Sequence, residues 1–299
     1  MDLGPVLPPD LEREIFEFVA FSNIRSIPEL VLVAQRVRSW IEPLLYRNLS
    51  VFGDIEDFRR DDDANLIRIS TNDCLKILDS KPASFFDDHV RHLAFMRVPS
   101  DAAALILSRC GRARRLALFQ TGTEAPDPSW LPSIAAMGLL HISVDVNSLF
   151  GHFWVDFDHY AFVRLTHLDL FEVPASESWT TDLCRLPRLT HLSFNFDADF
   201  RPTRKNIDAT ACRLILAGCK SLEVLVLVYL DESSREEFDC QYFSNDPRSV
   251  TVVVEDFLGD WERGATGRDD YWIRAESFIQ KRRRGEIKVS EYAIPVDPY

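Results

Sequence analysis

One short pattern recurs through the middle of the chain: an apolar residue, two spacers, a second apolar residue, one spacer, a third. It appears as V-R-H-L-A-F from Val90, A-R-R-L-A-L from Ala113, L-L-H-I-S-V from Leu139, L-T-H-L-D-L from Leu165, L-T-H-L-S-F from Leu189, L-E-V-L-V-L from Leu222 and, weakly, S-V-T-V-V-V from Ser249. The central residues Leu93, Leu116, Ile142, Leu168, Leu192, Leu225 and Val252 follow one another at separations of 23, 26, 26, 24, 33 and 27 residues. Self-similarity at such a period is the mark of a repeat architecture. Alternation within each copy predicts a short strand, with the fourth and sixth positions on one face and the third, fifth and seventh on the other.

Helices are predicted between the strands, most clearly over Asp101 to Cys110, Glu177 to Leu186 and Ile207 to Cys219, where apolar residues recur at helical spacing near a Gly or Pro. A strand with a helical return cannot bury its own apolar face. Stacked with parallel strands side by side, such units share one continuous core. A repeat of this kind also accommodates 299 residues without the two separate cores that such a length otherwise suggests.

The chain opens differently. Pro8 and Pro9 suit a helix start, and Leu11, Ile15, Phe18 and Val19 then share one face. A second helix is predicted from Pro28, with Leu30, Val33, Ala34 and Val37 on one side and Trp40, Ile41, Leu44 and Leu45 continuing the apolar supply. This pair is too small to bury all of its apolar surface by itself.

Charge and cysteine content narrow the function. The net charge is −13, and Ser221 to Asp270 carries 13 acidic against 4 basic residues. Such a chain repels polyanions, so no nucleic-acid partner is expected. The run Lys281-Arg282-Arg283-Arg284 follows a helical stretch, where cations complement the dipole, with a nuclear-import signal as the second reading. Six cysteines (74, 110, 184, 212, 219 and 240) include no C-x-x-C pair, and the N-terminus has neither a basic nor an apolar leader region. No apolar run approaches the ~20 residues that span a bilayer. These features predict a reducing compartment, cytoplasmic or nuclear, with free thiols, no membrane partner and no zinc held by cysteine.

L-P-P-D-L-E-R-E-I-F from Leu7 followed by P-E-L-V-L-V-A-Q-R-V-R-S-W from Pro28 resembles an F-box, and the repeats from Leu49 to Leu258 resemble leucine-rich repeats. W-I-E-P-L-L-Y-R from Trp40, D-W-E-R-G from Asp260 and D-Y-W-I-R-A-E from Asp270 are similar to a large fungal group of F-box-like proteins. The resemblance implies an α/β chain with an F-box-like helical module over 1–48, an irregular leucine-rich-repeat solenoid over 49–258, and a C-terminal capping helix and tail over 259–299. It implies a non-catalytic substrate receptor of an SCF-type ubiquitin ligase. Leu7, Pro8, Leu11, Ile15, Leu30, Val33 and Trp40 would then bind a Skp1-like adaptor and, through it, a cullin. The alternative is a ligase-independent scaffold whose N-terminal helices are only a structural cap.

In that family the third, fifth and seventh motif positions line a concave face where partners bind. Here this face would carry Arg115, Phe119, His141, His167, Asp169, Phe171, His191 and Asn195, a mixture suited to recognition of a target protein. Histidine takes the third position at 92, 141, 167 and 191. Strands about 4.8 Å apart bring such imidazoles close enough to share a metal or suppress one another's protonation. The plainer account is partner recognition, so no metal or cofactor is expected. His152, Asp156, Asp158 and His159 form the densest other polar cluster and read as a solvated loop. No phosphate-binding loop, nucleophile elbow or zinc-protease motif occurs, and no enzyme is expected.

Overall fold

The structure, a computed structural model, describes residues 7–53, 67–119, 127–151, 154–196, 207–236 and 246–295. The chain opens with α1 (Pro9–Ser22), α2 (Ile27–Leu30) and α3 (Gln35–Ile41). Then come β1 (Asn48–Phe52), β2 (Ile67–Ser70), α4 (Thr71–Ser80), α5 (Ala83–His89), β3 (His92–Met96), α6 (Ser100–Arg109), β4 (Arg115–Phe119), α7 (Leu131–Met137) and β5 (His141–Val144). The second half adds α8 (Val146–Phe150), β6 (His167–Leu170), α9 (Trp179–Leu183), β7 (His191–Phe196), α10 (Ala209–Gly218), β8 (Val224–Tyr229), α11 (Glu232–Glu236) and β9 (Ser249–Val253). Two helices close it, α12 (Phe257–Ala265) and α13 (Tyr271–Arg283).

Among the described residues the nine strands form one parallel sheet in the order β2-β1-β3-β4-β5-β6-β7-β8-β9. All seven motif copies are strands, and the central residues Leu93, Leu116, Ile142, Leu168, Leu192 and Leu225 lie side by side in register. Strands β3 to β8 are entered alike. One carbonyl before the strand accepts two consecutive N–H groups of the next repeat, as Arg114 does from Leu140 and His141 at 2.9 and 3.1 Å. Strand β1 was not predicted, although Tyr46, Leu49 and Val51 carry the same spacing and Leu49 pairs with Leu93. Asn147, buried in the first turn of α8, ties neighbouring repeats by donating to the Val173 carbonyl at 3.0 Å and accepting from the Ala175 N–H at 3.1 Å.

The last copy corrects the pattern. Leu225 pairs with Ser249, and Val252 pairs with Val228, so Val252 stands on the opposite face from the one predicted. An odd slip reverses every side chain of a strand.

The fourth- and sixth-position residues pack with the apolar sides of the repeat helices, among them Cys74, Ile106, Leu107, Ile134, Leu183 and Ile215, into one core that runs the length of the sheet. The other face is covered as well. Trp261 and Ala265 of α12 lie on Ala94 and Ala117, while Tyr271, Trp272, Ala275 and Ile279 of α13 lie with Val226, Val250 and Val252. The predicted helix at Tyr271 exists, but it covers this sheet face, rather than only the end of the repeat stack. Arg282, from the basic run, is buried and donates to the carbonyls of Pro247 and Ser249 at 2.6 and 2.8 Å, a more specific role than dipole compensation.

Two further expectations change. The second N-terminal helix is interrupted: α2 ends at Leu30, and α3 begins only after Ala34, whose backbone is extended. Val33 is therefore exposed while Val37 is buried, so the two do not share a side. Cys184 and Cys219 are joined by a disulfide, where free thiols were expected; Cys74, Cys110 and Cys212 are free and buried, and Cys240 lies outside the described residues. Among the described residues no helix is long and apolar enough to cross a membrane.

Candidate functional site

The face expected to receive a target is occupied by the chain itself. His141, Asp169 and His191 are buried; Arg115, Phe119, His167, Phe171 and Asn195 are partly covered. Arg115 reaches Asp270 at 3.3 Å and lies over the Trp261 ring, Phe119 and Phe171 stack with centroids 5.3 Å apart, and Phe257 packs edge-on to both. Left open, this face would present Ala94, Ala117 and the β8–β9 valines to water. The C-terminal helices remove that apolar area from solvent, at roughly 25 cal/mol per Å².

The closure brings a polar network together at its centre. Asp169 accepts from His141 Nε2 at 2.7 Å, from Ser193 Oγ at 2.6 Å, and from the hydroxyls of Ser143 and Tyr271. Burial alone would push the Asp169 carboxyl up, but His141 and the serine hydroxyls outweigh it and hold it down at about 2. Burial and then the Arg115 charge depress His141, so it donates as a neutral ring. Burial and the Asp169 charge push the Tyr271 hydroxyl up, keeping it a donor. Every polar group here meets a partner within the chain, so the network fastens α13 to the sheet.

The open surface is at the other end of the molecule. Phe16 and Ala20 turn the inner side of α1 toward Ile27, Val37 and Ile41, and Arg36 on α3 clamps Glu12 at 2.7 Å. Leu11, Ile15 and Phe18, spaced by four and three residues, run along its outer side and are exposed, with Leu7 exposed just ahead of the helix; Ile15 is 51% accessible and Phe18 72%. Val19 and Phe21 widen the strip, and the turn after α2 exposes Leu32 at 82% together with Val33. An amphipathic helix ordinarily has one apolar side, whereas α1 has two. Contiguous apolar area of this kind marks an interaction surface.

Of the residues expected to bind an adaptor, Leu7, Pro8, Leu11, Ile15 and Val33 are exposed. Leu30 and Trp40 are instead half-buried against the module's own core. Phe18 and Leu32 were absent from the expected contact set; the helical spacing of Phe18 was a usable signal, while Leu32 becomes exposed only because the helix is interrupted.

The remaining polar cluster is a turn. Asp156 accepts from the Asp158 N–H at 3.0 Å and His159 Nδ1 from the Ala161 N–H at 3.2 Å, while His152 lies outside the described residues. Among the described residues, the donor atoms of His167, His191 and Glu276 are those placed to meet a metal ion together. A scan of protein-family models gives no match to the chain, and a search of curated proteins gives none either.

Proposed function

We propose that the chain is a non-catalytic substrate receptor of an SCF-type ubiquitin ligase, built from an F-box-like module and irregular leucine-rich repeats. The outer side of α1 holds a Skp1-like adaptor and, through it, a cullin. The repeat body carries the target protein, and catalysis belongs to other subunits and works through proximity. The observation that supports this reading is the second apolar side of α1, because a module serving only as a cap has no use for Leu11, Ile15 and Phe18 facing water. The chain's acidic charge argues against a nucleic-acid partner, and a ligase of this type works in the cytoplasm or nucleus, whose reducing poise opposes the Cys184–Cys219 disulfide.

Isothermal titration of the purified full chain with a Skp1-like adaptor tests it. Replacing Leu11, Ile15 and Phe18 by Ala should weaken binding ~30- to 1000-fold, the equivalent of ~2–4 kcal/mol of hot-spot truncation. These side chains are exposed, so the variant stays folded. Trp40→Ala should instead loosen the module, since its ring packs inward. An adaptor that binds parent and triple variant alike, or neither, would leave the ligase-independent scaffold as the better account.

A further inference from the structure

His167 and His191 stand in register on β6 and β7 with rings stacked 4.1 Å apart. Both rings are oriented from behind by the same device. The Thr166 hydroxyl donates to the Leu140 carbonyl at 3.0 Å and lies 2.9 Å from His167 Nδ1; the Thr190 hydroxyl donates to the Thr166 carbonyl at 3.2 Å and lies 2.8 Å from His191 Nδ1. With its hydrogen on the carbonyl, each hydroxyl can accept from Nδ1–H, and that tautomer, the one a metal requires, leaves the lone pair on Nε2. Glu276 of α13 brings a carboxylate to 2.8 Å from His191 Nε2, and the three donor atoms lie within 4.8 Å of one another.

We propose that His167 Nε2, His191 Nε2 and the Glu276 carboxylate bind one divalent transition-metal ion of the zinc class, with water completing a tetrahedron. Two imidazoles and a carboxylate suit such an ion, and ring N–H groups held by a second set of residues are the usual support of histidine ligands. A lone pair facing a carboxylate at hydrogen-bond distance needs a cation between them, whether a proton or a metal. Asp169 on the His167 side and Glu223 and Asp270 on the His191 side add negative charge, opposed by Arg115. Trp272 meets both rings edge-on at 5.3 and 5.4 Å and walls the inner side, while the Glu276 side chain is 43% accessible and leaves the outer side open to an ion and its water.

Tetrahedral bonds of ~2.1 Å place donors about 3.4 Å apart, so the rings must tilt out of their stack and Glu276 must swing inward. The strands alone bring the imidazoles within reach of a shared metal but supply no third ligand. The third ligand belongs to α13, whose position over the sheet could not be read from spacing.

The test is titration of the chelator-treated full chain with Co2+, followed by visible absorption, then Zn2+ competition and metal analysis. The expected result is one ion per chain with the intense spectrum of four-coordinate cobalt, displaced by Zn2+. Glu276→Gln, at an accessible position that leaves the fold intact, should abolish that spectrum, and Thr190→Val should weaken binding ~10- to 100-fold by freeing the ring proton. Absence of stoichiometric binding, or equal affinity in parent and Glu276→Gln, would overturn the site.

Discussion

His92 stands where three parts of the molecule meet, beside a cleft lined by Ala20, Phe21 and Ile24 from the N-terminal helical module and by Gly264 to Arg268 at the C-terminal end of α12. Its ring bonds the Ala265 backbone, and Nδ1 is buried without a partner. Burial, and after it the Arg115 charge, push the ring down to about 3. The unfolded chain takes up this proton near pH 6.5, so stability is fully present above that pH and is lost as pH falls toward 3. At pH 5 the loss from this ring is ~1–2 kcal/mol. Thermal melts at pH 7.5 and 5 should show a smaller acid-induced drop in His92→Gln than in the parent; equal drops would mean His92 does not couple folding to pH. Residue identity was legible where the motif repeats and misleading where it decays. Val252 fits the spacing by sequence yet faces the other way, because in an unbroken valine run each register offers an apolar fit.

At the scale of elements, strands were the most legible feature, since two alternating apolar positions and a fixed period constrain them twice. The C-terminal helices were half legible. Apolar residues at Trp261, Tyr271 and Trp272 announce helices that must be buried, but nothing local says against what. The structure supplies the answer in polar contacts of very long sequence separation. Glu262 of α12 accepts from Ser50 on β1 at 2.7 Å and pairs with Arg68 on β2 at 2.6 Å, with both charges largely buried. Gly264 lets α12 approach Asp270 so closely that a methyl group there would collide with its carboxylate. Breaking a buried pair strands the other charge, so Glu262→Ala should cost ~3–5 kcal/mol, whereas replacing Glu262 and Arg68 together by Met should recover much of it. Urea unfolding of the two variants measures the difference; a single variant as stable as the parent would show that Glu262 does not hold α12. Deleting residues from Asp256 onward should be worse than either, leaving the β8–β9 valines bare and the chain insoluble.

The whole molecule presents a closed sheet and an open helix, the reverse of where a solenoid with a free concave face would bind. This changes what mutation of that face should do. Arg115, Phe119, His167 and Phe171 support α12 and α13, so their joint replacement by Ala should lower stability by several kcal/mol, roughly the sum of partial large-to-small losses, rather than remove one partner from a folded chain. On the receptor function proposed above, the target surface lies elsewhere on the repeat body. Among its described residues the large aromatic side chains most open to water are Trp154 at 60% and Tyr160 at 66%, on the segment between α8 and β6, whose neighbours Val155, Phe157 and Phe162 are buried and hold it in place. Exposed aromatics on a fixed support are the usual anchors of a protein interface. Trp154→Ala with Tyr160→Ala should therefore leave the melting temperature and adaptor affinity unchanged while removing specific proteins from a crosslinked purification. A partner set identical to that of the parent would move the target site away from this segment, and a melting temperature unchanged in the four-residue variant would mean that the sheet face is less firmly closed than its contacts imply.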